Sequence, residues 1–170
     1  MKNTLRQVKR ATNWALSRIA AVLLIGMAAL VVYQVFTRYV LGSPSAFTEE
    51  LVRYFLIWTG FIAAAYAFGS RQHMALLFVR DRFPGVSRKV VMVFTDLLIL
   101  LFALLVITIG GARLALSARL ELSALLGISR GLVYAVAPLS GAFIVLIQLI
   151  NIWEDAAGVE LLNDEKEEVR

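Results

Sequence analysis

The chain has 170 residues, of which 60% are hydrophobic and only 17% charged, and its mean hydropathy is +0.78. That composition excludes an ordinary soluble domain and points to an integral membrane protein. The absence of cysteine excludes disulfides, thiol redox chemistry, zinc–thiolate sites and iron–sulfur clusters, and the net charge of +5 lies in blocks between apolar runs, as in cytoplasmic loops rather than nucleic-acid surfaces.

The N-terminal MKNTLRQVKR has the basic character of a secretory leader. The apolar segment behind it is too long for a leader's hydrophobic core and offers no small-x-small cleavage site, so it is read as a retained first span. Its uncharged run, Ile19 to Thr37, is 19 residues, roughly 28 Å as a helix. A second run extends from Tyr54 to Ser70. A third, Val90 to Ala112, is interrupted only by Asp96, and a fourth, Gly131 to Trp153, contains Pro138, which should kink or loosen it.

Each run is long enough to cross a bilayer. The predicted fold is all-α: one membrane domain over 1–170, with transmembrane helices at about 14–40, 49–70, 88–113 and 131–154. Counting lysine and arginine, 12 fall on the side of the N-terminus, the 71–89 loop and the tail, against 5 on the other side. The positive-inside rule therefore places both termini in the cytoplasm.

The connections differ in character. LGSPSAFT between spans one and two is a short turn, implying an antiparallel hairpin, with Thr48 placed to cap the second helix and Glu49 and Glu50 at its positive end. Between spans three and four, ARLALSARLELSALLGISRG scatters leucines among small and charged residues, a pattern read as an interfacial amphipathic helix, or else as an extension of span three. The cytoplasmic loop 71–89 is basic around MALLFV, too short to span, and the tail 155–170 is acidic.

The charges beside the spans are the candidate site. Glu50, Arg53, Tyr54, Ile57 and Trp58 share one helical face, Glu49 and Arg53 are four apart, and Arg38 closes span one across the hairpin turn. An Arg38–Glu50–Arg53 cluster is expected, serving either to mark the membrane edge and cap the helix or to dock a partner. Asp96 lies inside span three, where an ionised carboxylate should face protein rather than lipid. Arg18 is the partner expected of it in a buried ion pair, with an ion or proton site as the other reading. His73 is the only histidine, which rules out a haem held by two histidines of this chain and suits an interface residue better than a metal ligand. Gly60/Ala64 and Ala65/Gly69 are small pairs four apart that let another helix come close.

The remaining polar residues of the spans, among them Thr59, Thr108, Ser140 and Gln148, form no convergent set by spacing. No repeat, phosphate loop, nucleophile motif or metal-ligand spacing is present, so neither a catalytic site nor a cofactor is expected. Four spans without a site of their own suggest an accessory subunit.

The run FTRYVLGSPSAFTEELVRYFLIWTGFIAAAYAFGSRQHMALLFV resembles the core of the small, DctQ-type membrane subunit of tripartite ATP-independent periplasmic (TRAP) transporters. The likeness rests on Arg38-Tyr39 ending span one, on Glu49 to Tyr54 as Glu-Glu-Leu-x-Arg-Tyr with Trp58 one turn on, on the small residues from Gly60 to Ala65, and on His73. It is strongest over 36–83. The acid that usually follows the family's histidine after a short apolar step has no counterpart here before Asp81.

The resemblance implies a multi-pass protein of the bacterial inner membrane, in contact with lipid and not with nucleic acid. It also implies a large permease subunit holding the sodium and substrate sites, and a periplasmic binding protein delivering a carboxylate-bearing solute such as a C4-dicarboxylate or sialic acid. This chain would brace the large subunit without binding substrate. A stand-alone four-helix exporter acting as a dimer, an anchor for a redox enzyme, and the small subunit of a tripartite tricarboxylate carrier share parts of the pattern.

Overall fold

The computed structural model describes residues 2–43, 45–70 and 86–157. Helix α1 is Lys2–Tyr39 and α2 is Ala46–Gly69. The third span begins as α3, Val86–Phe102, passes through a π-helical stretch at Ala103–Gly110, and ends as α4, Gly111–Ser117. The fourth is α5, Arg130–Tyr134, followed by α6, Val136–Ala157. Four of these helical rods, Gln7–Tyr39, Ala46–Gly69, Val93–Ser117 and Arg130–Trp153, are long and apolar enough to cross a membrane. His73, the basic loop through residue 85 and the acidic tail from 158 lie outside the described residues.

With 38 residues, α1 is roughly 57 Å long, well beyond the ~30 Å of a hydrocarbon core, so its basic first turns extend past the apolar part. It pairs with α2 through the 40–45 turn, where Gly42 adopts φ +64°. Thr48 does not cap α2: the helix already starts at Ala46, and the Thr48 hydroxyl donates to the Ser45 carbonyl at 2.8 Å.

Span four is the central member. It packs on span two and span three and touches α1, whereas spans one and three do not meet among the described residues. The helices therefore stand in the order one, two, four, three. Its inner side supplies Val136, Ile144 and Ile147 to a core completed by Leu16, Ile62, Ala65 and Ala103. Gly141 makes the closest part of this packing possible, because a Cβ there would stand 2.5 Å from the Thr108 hydroxyl oxygen and 2.9 Å from the Thr108 backbone nitrogen. Thr108 in turn donates to the Ala103 carbonyl at 2.8 Å, five residues back, within the π-helical stretch.

Pro138 acts as its chemistry requires. A proline ring crowds the carbonyl four residues before it, here Tyr134, and span four breaks between Tyr134 and Val136.

The connection between spans three and four is not the amphipathic helix expected from its leucines. Span three continues as helix to Ser117, and 118–129 is a tightly bonded loop with an isolated bridge between Leu122 and Ser129. Ser123 N donates to Ile128 O at 2.8 Å, Arg130 N donates to Glu121 O at 2.8 Å, and the Ser129 hydroxyl donates to Arg119 O at 2.7 Å. Gly127 turns the chain at φ +64°, a conformation that ends a helical path for residues with a Cβ. Serine hydroxyls and a left-handed glycine satisfy the backbone locally, so helix is not the best arrangement for this stretch.

Candidate functional site

Two groups of polar side chains stand out, one at each end of the spans. At the hairpin end the expected Arg38–Glu50–Arg53 cluster separates into distinct contacts. Arg38 pairs with Glu49 rather than Glu50, Nη2 to Oε1 at 2.9 Å, with both side chains about half exposed. Glu50 points toward the 118–129 loop instead. Its Oε1 accepts from the Tyr54 hydroxyl at 2.6 Å, its Oε2 accepts from Leu125 N at 3.3 Å, and the Ser123 hydroxyl lies within hydrogen-bonding reach. Ser123 Oγ also accepts from Leu126 N at 3.1 Å, so one carboxylate and one hydroxyl hold the loop against α2.

Arg53 joins neither contact. Arg38 pairs with Glu49 and Arg130 with Glu121, the latter at 3.4 Å, whereas Arg53 remains exposed. Trp58, one turn below Tyr54, donates from Nε1 to the Val133 carbonyl at 3.1 Å, next to the break in span four. Tyr54, Phe55 and Trp58 also line an open apolar pocket of ≈ 230 Å³, together with Leu23, Ile128, Leu132 and Val133. The two hairpins are thus joined at this end by polar bonds above and an apolar pocket below.

Toward the opposite end, Asp96 is 3% exposed and sits against span four. Gln148 Nε2 donates to Asp96 Oδ1 at 2.5 Å and to the Asp96 carbonyl at 3.3 Å, and Gln148 Oε1 accepts from Asn151 Nδ2 at 3.3 Å. Gln148 and Asn151 are fully buried, and Lys9 on α1 is 1% exposed. The expected Arg18–Asp96 pair does not form. The Arg18 guanidinium lies over the Trp14 ring, 5.3 Å from its centroid, and among the described residues α1 has no contact with span three. Matching depth along two helices is not adjacency, and span four stands between them.

Spacing by itself had suggested no convergence among the polar residues of the spans, and the Asp96–Gln148–Asn151 chain corrects that. A clue was present: Gln148 and Asn151 are one turn apart in an otherwise apolar span, and Asp96 is the lone acid of its neighbour. Among the described residues no group of histidine, cysteine and carboxylate side chains is arranged to hold a metal. What this arrangement can do chemically is to lock helices together without exposing charge to lipid.

The family model of the tripartite ATP-independent periplasmic transporters, DctQ component, matches residues 27–158. The chain belongs to the DctQ family. The match covers both polar groups from Arg38 to Asn151 and leaves out Lys9 and Arg18. Among curated relatives, a TRAP transporter small permease protein of Haemophilus influenzae is 26% identical over 148 residues, covering 87% of this chain and 91% of the relative. The sialic acid TRAP transporter small permease protein SiaQ of Vibrio cholerae is 26% identical over 149 residues, covering 88% and 86%. The sialic acid TRAP transporter permease protein SiaT of Haemophilus influenzae is 25% identical over 134 residues, which are 79% of this chain but 21% of that protein. As a DctQ member with four apolar spans, the protein is a multi-pass protein of the bacterial inner membrane.

Proposed function

We propose that this DctQ protein is the non-catalytic small permease subunit of a TRAP transporter, bracing a large, sodium-coupled permease subunit. In this reading the large subunit imports a carboxylate-bearing solute, a C4-dicarboxylate or a sialic acid, delivered by a periplasmic binding protein. Both termini face the cytoplasm, and the hairpin end, with Arg38, Glu49, Glu50, Arg53, Tyr54 and Trp58, faces the periplasm. His73 belongs to the opposite, cytoplasmic end.

The SiaT relative carries the argument for a permanent partner. There a stretch similar to this chain is a fifth of one longer permease polypeptide. A segment made as part of the permease in one protein and as a chain of its own in another is expected to occupy the same place in both. The internal design agrees with a bracing role. The polar groups are engaged in joining helix to helix, through Glu50 and Trp58 at one end and Gln148 at the other, rather than lining a path at mid-membrane.

The test is affinity purification of the tagged chain in mild detergent with its genomic neighbours co-expressed, followed by mass analysis. A stoichiometric complex with a large multi-span permease is expected. Recovery of the chain alone, together with a cation-linked flux by the chain alone that Asp96→Asn abolishes, would replace this reading with a stand-alone exporter.

A further inference from the structure

Helix-interior glycines in this protein are generally accounted for by what packs on them within the chain. A Cβ on Gly26 would stand 2.8 Å from the Phe55 ring, one on Gly111 2.9 Å from Ala137, and one on Gly131 2.5 Å from the Ala115 carbonyl. Gly60 differs: in the middle of α2, a Cβ there would meet nothing within 4 Å. Relative to alanine it costs the helix about 0.5–1 kcal/mol, with no packing return inside this chain.

Gly60 lies on a continuous exposed stripe. Glu49, Arg53, Leu56, Gly60 and Ala63 recur at spacings of three and four and are all exposed, whereas Ala65 and Gly69 of the same helix are buried against the rest of the chain. The second small pair predicted to admit a neighbouring helix is therefore used internally, whereas Gly60 of the first faces outward and its partner Ala64 is half-buried. Arg53 lies about 10 Å along α2 from Ala46 and has no carboxylate opposite it. Arg53 is thus an exposed cation at the membrane edge of this stripe, free to take a carboxylate of a neighbouring helix.

We propose that this stripe of α2 seats a transmembrane helix of the large permease subunit, with backbone approach at Gly60 and a carboxylate of that helix on Arg53. The proposal rests on the subunit reading above and adds to it the contacting face and the partner's chemistry. Close approach at a small residue and a charge pair beside it are what helix–helix packing in a bilayer selects. Two other occupants fit less well. Lipid tails gain nothing from a missing Cβ. A second copy of this chain, inserted in the same orientation and packed through the same stripe, would set both Arg53 side chains at one depth and offer them only Glu49, which Arg38 already engages.

The absence of cysteine makes the test direct. Single substitutions Leu56→Cys and Ala63→Cys, with Ile25→Cys on α1 and Leu98→Cys on α3 as controls, are labelled with a photoactivatable maleimide in membranes containing the co-expressed large permease. All four positions are exposed. Adducts with the large permease are expected from Leu56→Cys and Ala63→Cys and not from the controls. Arg53→Glu should lower the permease recovered with the tagged chain by about tenfold or more.

Co-purification with adducts only from the controls would overturn this face while leaving the subunit reading intact. Adducts with a second copy of the chain, or with lipid alone, would overturn it in favour of those occupants. Failure of the unsubstituted chain to co-purify with the permease would remove the subunit reading, and this inference with it.

Discussion

Gln148 links span four to Asp96 of span three: the amide Nε2 stands 2.5 Å from the carboxylate Oδ1, both residues being almost wholly buried. Gln148→Leu removes one buried hydrogen bond to that carboxylate, and such a bond contributes about 1 kcal/mol net, more when one partner is charged. The substitution should therefore lower the thermal stability of the detergent-solubilised protein by about that much. Gln148→Glu, which sets a second carboxylate against Asp96, should lower it further. A melting curve followed by tryptophan fluorescence reads both, and an unchanged Tm in Gln148→Leu would mean the link contributes nothing.

Glu50 and Glu49 are neighbours with different assignments, and their substitutions should differ. Glu50→Ala removes the acceptor of Tyr54 and of Leu125 N, freeing the 118–129 loop from α2. Faster amide hydrogen exchange is expected at Leu125 and Leu126. Glu49→Gln removes only a half-exposed ion pair worth about 0–1 kcal/mol and should leave the loop's exchange unchanged. Equal exchange in the two variants would contradict the division of roles.

Trp58→Phe keeps an aromatic ring in the apolar pocket and deletes the bond to the Val133 carbonyl. The expected cost is about 1 kcal/mol, the usual net contribution of such a bond, measured as a fall in Tm. A loss several times larger would show that the ring, rather than its N–H, holds the break in span four.

The two glycines Gly60 and Gly141 offer opposite outcomes from the same substitution. Gly141→Ala forces a methyl against Thr108 and should destabilise the isolated chain by about 1–3 kcal/mol. Gly60→Ala meets open space and should stabilise it by about 0.5–1 kcal/mol, through helix propensity alone. Thermal melts of both variants without a partner subunit check the signs.

The four apolar spans and the Pro138 break were legible directly, because crossing a bilayer demands long uncharged helices and a proline acts on its own backbone. Periodicity also showed that Glu50, Tyr54 and Trp58 share a helical face. It could not show what that face meets. Arg38 pairs with Glu49 because Glu49 lies on the outward stripe, while Glu50 is turned toward a loop about 75 residues away in sequence. That loop was misread as helix because leucine spacing is a weak signal where serine hydroxyls and a left-handed glycine can satisfy the backbone locally.

The buried polar end divides in the same way. That Asp96 needs protein around it follows from the energy of a carboxylate in hydrocarbon, a property of the residue and its depth. That Gln148 answers it, and Arg18 does not, was decided by the lateral order of the helices, with span four between spans one and three. One-dimensional periodicity sets depth and facing within a single helix. The order in which helices stand side by side depends on close packing at points such as Gly141 against Thr108, and only the folded chain brings those together.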